Sequence, residues 1–239
     1  LFPDMFSAIS DEGVIARAIK KSIISIKTWQ LRDFSDNQYK NVDDKPYGGG
    51  PGMLMKVQPL KDAINAAKNK AQGQCPVIYL SPQGKPLDQA DLARLAMLPE
   101  VILVAGRYEG IDERLIESVI DMEVSIGDFV ASGGELPAML LIDGVTRLLP
   151  GAVGDAESVE QDSFSNGLLD YPQYTRPETE DGLTVPEVLM SGDHGQIARW
   201  RKMQSLGRTY EKRPDLITAR TLTEEEKQLL DEYLAKRET

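Results

Sequence analysis

Val101-Ile102-Leu103-Val104-Ala105-Gly106-Arg107-Tyr108-Glu109-Gly110 opens the stretch that organises this chain, and the stretch runs on to Leu149. Its five leading apolar residues read as a short buried strand that stops in a glycine-bounded loop carrying an arginine, an aromatic and an acid. A charged amphipathic stretch follows over residues 111–120. A second strand signal, residues 123–126, breaks into Gly127-Asp128-Phe129-Val130-Ala131-Ser132-Gly133-Gly134-Glu135, and an apolar helical run then covers residues 136–149. In open α/β sheets, ligands sit at the carboxyl ends of strands, where such loops converge. Glycine is needed there because the backbone must turn sharply or approach a ligand without a side chain in the way. The stretch therefore points to an enzyme of nucleotide chemistry.

With 239 residues the chain is long enough to bury a core and to form one or two domains. No apolar run approaches the roughly 18 residues of a membrane span. The single cysteine, Cys75, has no internal disulfide partner and fits a thiol in a reducing cytoplasm, where the protein is expected to reside. The opening Leu1-Phe2-Pro3 reads as the end of a strand, a few residues of which are expected to precede it. The formal charge of −11 argues against loose nucleic-acid binding driven by counterion release, though not against a local basic patch.

Along the chain, residues 4–21 show helical spacing and residues 22–29 alternate like a strand. Residues 32–45 turn polar and read as a surface loop. Pro46-Tyr47-Gly48-Gly49-Gly50-Pro51-Gly52-Met53 is not a Walker A loop, because no Gly-Lys-Ser/Thr follows; it reads either as a ligand or partner loop or as a plain turn. Pro59 opens a helix that Gly73 ends. Residues 77–80 form a short strand that stops at Ser81-Pro82-Gln83-Gly84, and Asp88 caps the next helix. Strand, loop and helix thus recur three times over residues 77–149, as a parallel sheet with helical crossovers requires. From Pro150 to Tyr171 the pattern fails, and this segment reads as a linker or lid. Helical spacing returns through Ile197, Trp200, Met203 and Leu206, and a last helix opens with the capping box Thr223-Glu224-Glu225-Glu226.

Between His194 and Pro214, Arg199, Arg201, Lys202, Arg208, Lys212 and Arg213 face a single acid, Glu211. This cluster is either a solvated helix face or a phosphate-contacting surface. His194 is the only histidine and reads as a helix-start residue; with one cysteine it cannot make a zinc site of usual composition. Neither a nucleophile elbow nor a Rossmann fingerprint is present. Chemistry then falls to carboxylates, arginines, tyrosines and backbone groups. Glu109, Asp112, Asp128 and Glu135 beside the glycine loops suit a cationic or hydroxyl-bearing ligand better than a polyphosphate. Asp162 is either a solvated linker charge or a lid carboxylate able to act as general base. Arg147 is either a C-terminal helix-dipole partner or an anion stabiliser.

Together and in order, the strings Tyr47–Met53, Leu80–Gly84, Gly106–Arg114, Ser125–Val130, Ser132–Pro137, Asp162–Phe164, Tyr174–Pro177 and Ser205–Thr209 closely resemble the bacterial tRNA (guanine-N1)-methyltransferases of the SPOUT superfamily. The resemblance spans essentially the whole chain; Phe129 stands where a tyrosine is also common. It implies an α/β fold, a SPOUT-type parallel sheet with a C-terminal deep trefoil knot, followed by a small helical domain. The implied organisation is a knotted cofactor domain over residues 1–153, a flexible linker or lid over 154–171 and a helical tRNA-binding domain over 172–239. The implied cofactor is S-adenosylmethionine, held by Leu80, Ser81, Pro82, Gly106, Tyr108, Gly110, Ser125, Ile126, Gly127, Asp128, Phe129, Val130, Ala131, Gly133, Gly134 and Pro137. Asp162, Arg147 and Glu109 are the implied catalytic residues. The acceptor is guanine 37 of tRNAs with guanine at position 36, engaged through the anticodon stem-loop. A homodimer with a shared active site and a magnesium requirement are also implied, although no dedicated set of metal ligands is visible.

Overall fold

Val77, Ile78, Tyr79 and Leu80 are all buried, and they point alternately to opposite faces of a sheet. Val77 and Tyr79 pack with Val104, Leu60, Ile64 and Leu115 on one side. Ile78 and Leu80 pack with Val124, Leu95, Ala138 and Leu141 on the other. Such a strand must lie in the middle of a sheet covered by helices on both faces.

The computed structural model describes residues 1–154 and 161–237, and these fall into two compact units, Leu1–Ala156 and Glu157–Thr239. In the first unit, α1 (Ser7–Ser10) and α2 (Gly13–Lys20) precede a two-residue antiparallel pair, β1 (Asp43–Asp44) with β2 (Leu54–Met55). Then follow α3 (Val57–Lys68), β3 (Val77–Pro86), α4 (Gln89–Ala96), β4 (Ile102–Ala105), α5 (Glu113–Val119), β5 (Met122–Ser125) and α6 (Glu135–Arg147). The sheet order is β4-β3-β5, all parallel. Asp88 accepts the Asp91 N–H and the Asp91 carboxylate accepts the Asp88 N–H, so the start of α4 is capped on both sides.

The second unit holds the hairpin β6 (Thr179–Glu180) with β7 (Leu183–Thr184), and the helices α7 (Glu187–Met190), α8 (His194–Lys212), α9 (Pro214–Thr218) and α10 (Glu224–Ala235). Its core joins Leu168 to Met203, Leu206, Leu229 and Tyr233. Gly207 is glycine because the Tyr233 ring lies on it: a Cβ there would stand 2.2 Å from the ring.

Several expectations are corrected. The helix read over residues 4–21 is broken, with a bend at Asp11 and Glu12 between α1 and α2. Residues 22–29 form no strand among the described residues, because their alternation has no ladder to join. A cavity of about 1060 Å³, lined by Ile24, Ile26, Leu60, Val104 and Leu141, lies between this segment and β4. None of residues 106–110 or 126–134 lines that cavity, so its size does not mark it as the site at the strand ends. Strand β3 does not stop at Leu80 but resumes its ladder with β5 at Lys85 and Pro86 after a shift of register. Of the segment expected to be a structureless linker, residues 155–160 lie outside the described residues. Residues 161–171 are hydrogen-bonded and packed on α8: Leu168 is buried, and the Leu169 N–H donates to Thr209 Oγ1 at 2.9 Å.

Candidate functional site

Leu80 is the register partner of both Ala105 and Val124, so the three parallel strands reach the same level together. The loops that follow, beginning at Ser81, Gly106 and Ile126, therefore rise from one end of the sheet. The first, Ser81-Pro82-Gln83-Gly84, is looped out between the two stretches over which β3 pairs with β5. Buried Ser81 accepts the Gln83 N–H through its hydroxyl at 3.1 Å. A Cβ at Gly84 would lie 2.3 Å from the Val124 nitrogen, so the return to the ladder requires glycine.

The second loop rests on Tyr79. A Cβ at Gly106 would come 2.9 Å from the Tyr79 hydroxyl, and one at Gly110 would come to 3.3 Å. Burial pushes the Tyr79 hydroxyl above its ordinary pKa, helped by the charge of Glu123 and opposed by a hydrogen bond with the Ile111 backbone. It therefore stays protonated at neutral pH. Tyr108 adopts a left-handed φ of 60°, which a non-glycine residue holds only at a cost of about 1–3 kcal/mol. The Glu109 N–H donates to the Met53 carbonyl at 2.9 Å, and the Met55 N–H to the Gly110 carbonyl at 3.0 Å. The Glu109 carboxylate lies across Gly52, whose Cβ would be 2.3 Å from Oε1. The Pro46–Met53 loop is thus built against the Gly106–Gly110 loop, with Tyr47 fully exposed near its tip.

The third loop turns at Gly127 (φ 145°), where the Ser125 hydroxyl both donates to the Gly127 carbonyl and accepts its N–H. Phe129 is 60% and Val130 85% exposed, an open apolar edge beside Asp128 and Ala131. The loop then tucks back under the second. The Gly134 N–H donates to the Gly106 carbonyl at 2.7 Å, and a Cβ on Gly134 would strike the Ala105 backbone. Below lies an ion pair that sequence reasoning did not find. Arg107 Nε meets Glu135 Oε2 at 2.8 Å with Glu135 only 1% exposed, and Arg107 Nη1 donates to the Ser132 carbonyl at 3.0 Å. Glu135 also opens α6, where the helix dipole favours its charge. Pro137 is buried in the first turn, the one helical place where its missing N–H costs nothing.

All sixteen residues expected to hold the cofactor lie on these loops or at the strand and helix ends that flank them, Leu80 and Ser125 just before a loop and Pro137 in the first turn of α6. Of the expected catalytic residues, Glu109 is in the second loop and Arg147 is exposed at the last position of α6. Asp162 belongs to the other unit. It is half-buried at the start of a short loop in which the Asp162 carbonyl accepts the Ser165 N–H and the Ser163 hydroxyl accepts the Asp170 N–H. Neither unit by itself assembles all three. Phe164, two residues on, has a left-handed φ of 74°, so Asp162 and Glu109 each stand close to a strained aromatic residue.

In the second unit the basic cluster is less open than its sequence suggests. Arg199 pairs with Glu232, Lys202 with Glu225 and Glu226, and Arg213 with Asp215. Among the described residues, Arg201 and Arg208 have no carboxylate partner. The acids come largely from α10, 23 to 33 residues away in sequence, which is why local counting overstated the charge. His194 stands at the first position of α8 behind its cap, Asp193. Burial, then the charge of Glu100, raises the Cys75 thiol above its ordinary pKa and leaves it a poor nucleophile. Among the described residues no helix is long and apolar enough to cross a membrane, and no group of three His, Cys, Asp or Glu side chains could hold a metal.

Residues 1–219 match the family model for tRNA (Guanine-1)-methyltransferase TrmD. Over 234 residues the chain is 58% identical to the tRNA (guanine-N(1)-)-methyltransferase of Vibrio vulnificus (strain YJ016), covering 98% of this chain and 94% of that protein. It is 59% identical to the protein of the same name from Tolumonas auensis and 60% identical to that from Aeromonas hydrophila subsp. hydrophila, with the same coverage.

Proposed function

This chain belongs to the tRNA (guanine-1)-methyltransferase family, and from that premise we propose that it methylates N1 of guanine 37 in tRNAs with guanine at position 36, using S-adenosylmethionine. The observation that carries the reading is the rise of three close-packed loops from one level of a parallel sheet. They present main-chain groups, an exposed apolar edge at Phe129 and Val130, and acids, the set a cationic nucleoside needs. On this reading Leu80, Gly106, Tyr108, Gly110 and the loop from Ile126 to Ala131 hold the adenosine and methionine parts, with Gly133 and Gly134 shaping the wall. The cofactor supplies an electrophilic methyl group on a sulfonium.

Guanine N1 carries a proton at neutral pH and has no lone pair free for in-line attack. Asp162 takes that proton as the N1–methyl bond forms and the methyl–sulfur bond breaks, its electron pair staying on sulfur. While the proton leaves and before the methyl is fully transferred, negative charge builds on O6, where the Arg147 guanidinium stabilises it in the transition state. Glu109, held across Gly52, orients the base. Among the described residues no group of three His, Cys, Asp or Glu side chains could hold magnesium, and the roles given to Asp162, Arg147 and Glu109 do not involve it.

Because Asp162 lies in a different unit from Glu109 and Arg147, the reading includes a homodimer in which the loops of one copy meet the second unit of the other. Leu136 and Leu140, one turn apart on α6 and both more than half exposed, support an interface there. The reading also carries the family's knotted path after β5, supported by the tuck of Gly134 under Gly106. The functional division is a cofactor domain over residues 1–153, a closing segment over 154–171 and an RNA-binding domain over 172–239.

The test is single-turnover methyl transfer to a tRNA transcript with guanine at positions 36 and 37. Asp162→Asn keeps the side chain's shape and removes its basicity. The rate is expected to fall by about 10²-fold or more, with calorimetric affinity for S-adenosylmethionine unchanged. A rate close to wild type assigns the base to another group.

A further inference from the structure

Resting on the reading of the second unit as RNA-binding, we propose that Tyr174, Trp200 and the Arg201–Tyr171 stack form a platform on which an unpaired base of the RNA substrate stacks. Tyr174 is 49% exposed, and its ring meets that of Trp200 at 6.4 Å between centroids and 52° between planes. Beside it on α8, the Arg201 guanidinium lies 4.7 Å from the centre of the Tyr171 ring. Tyr171 is in turn fixed by its hydroxyl, which donates to Gln161 Oε1 at 3.0 Å.

The state of Arg201 separates this patch from an ordinary solvated helix face. Its neighbours Arg199 and Lys202 are neutralised by acids of α10, whereas Arg201 has no carboxylate among the described residues. Its Nε is buried without an acceptor, and an unmade buried hydrogen bond is costly enough to call for a reason. A planar cation held over a ring is preorganised for a ligand that brings both a π-face and acceptor oxygens. Arg208, two helical turns further along the same face of α8 and also without a carboxylate partner among the described residues, continues the positive track. Rings interleaved with unpaired guanidinium groups match the alternation of bases and phosphates in a single strand. An acidic peptide would satisfy the charges and leave the rings unused.

Trp29 and Trp200 are the only tryptophans, so a Trp29→Phe protein reports on Trp200 alone. Its fluorescence is expected to be quenched as an unmodified tRNA transcript is added. Tyr174→Ala is expected to weaken tRNA binding about tenfold, by the same factor at about 50 and about 200 mM salt, because stacking releases no counterions. Tyr174→Phe, which keeps the ring, should restore binding, and affinity for S-adenosylmethionine should stay unchanged in both variants. Arg208→Ala should instead flatten the salt dependence. Silent Trp200 fluorescence at saturating tRNA, or wild-type tRNA affinity in Tyr174→Ala, overturns the platform even where methyl transfer proceeds. Quenching and weakened binding in a protein that methylates no guanine would overturn the enzymatic reading and leave the platform standing.

Discussion

At Gly133 one added methyl group has nowhere to go: its carbon would stand 2.2 Å from Arg107 Nε, the atom bonded to Glu135. Gly133→Ala must therefore push Arg107 off Glu135 or lift the Ser132–Gly134 backbone. On the proposed reading both outcomes deform the cofactor wall. Affinity for S-adenosylmethionine should fall by about tenfold or more, the effect of roughly 1.4 kcal/mol, with the far-ultraviolet dichroism unchanged. Calorimetric titration at wild-type affinity would show that the wall does not depend on this contact. The glycines themselves were legible in the sequence as loop signals. What each of them touches was not, because Arg107 and Glu135 are 28 residues apart and Gly52 and Glu109 are 57 apart. Their meeting is fixed by the order β4-β3-β5, which no local pattern encodes.

Among the elements, α10 shows how far local chemistry reaches. Thr223 accepts the Glu226 N–H and the Glu226 carboxylate accepts the Thr223 N–H, so the capping box read in the sequence is formed. The same carboxylate faces Arg220 at 2.9 Å and Lys202 at 3.7 Å. Burial pushes the Glu226 pKa up, but the Thr223 hydrogen bond and the two cations outweigh it and hold it below its ordinary value of 4.5. A depressed folded-state pKa means the stabilisation is fully present above pH 4.5 and is lost as pH falls through the lower folded value. Melting temperatures of the wild type and Glu226→Gln should therefore differ most near neutral pH and converge below pH 4.5. A gap that persists in acid would mean that packing, not ionisation, carries the contribution of Glu226. Thr223→Ala should cost about 1 kcal/mol in unfolding free energy, measured by denaturant titration. Periodicity and caps found α4, α6 and α10 within a residue or two. They failed at residues 22–29, where the alternation is real but lacks a neighbouring strand, and at residues 161–171. Polar composition hid the latter's packing, which rests on one buried leucine and main-chain hydrogen bonds.

For the whole molecule, the division into two units sets the decisive question of where the proposed catalytic trio assembles. Glu109 and Arg147 belong to the first unit and Asp162 to the second, so the proposed roles draw on both units. The proposed homodimer with a shared site makes a prediction that a self-contained chain does not. Arg147→Ala disables every site built on the first unit of that copy, and Asp162→Asn every site built on its second. Co-expressed with different tags, the two variants form mixed dimers. In a shared arrangement one site of each mixed dimer takes Arg147 and Asp162 from intact partners, while the other site receives both lesions. Random pairing makes half of the dimers mixed, each with one working site of two, so the pool should regain about a quarter of wild-type activity. Purified mixed dimers should show about half. If each site is built within one chain, every site carries one lesion and mixing regains nothing above the separate variants. Sedimentation at micromolar concentration supplies the companion measurement. A wild-type monomer with full single-turnover activity would refute the shared site, whereas Leu140→Glu on the exposed α6 face should shift the dimer towards monomer and lower the rate in a way that higher protein concentration restores.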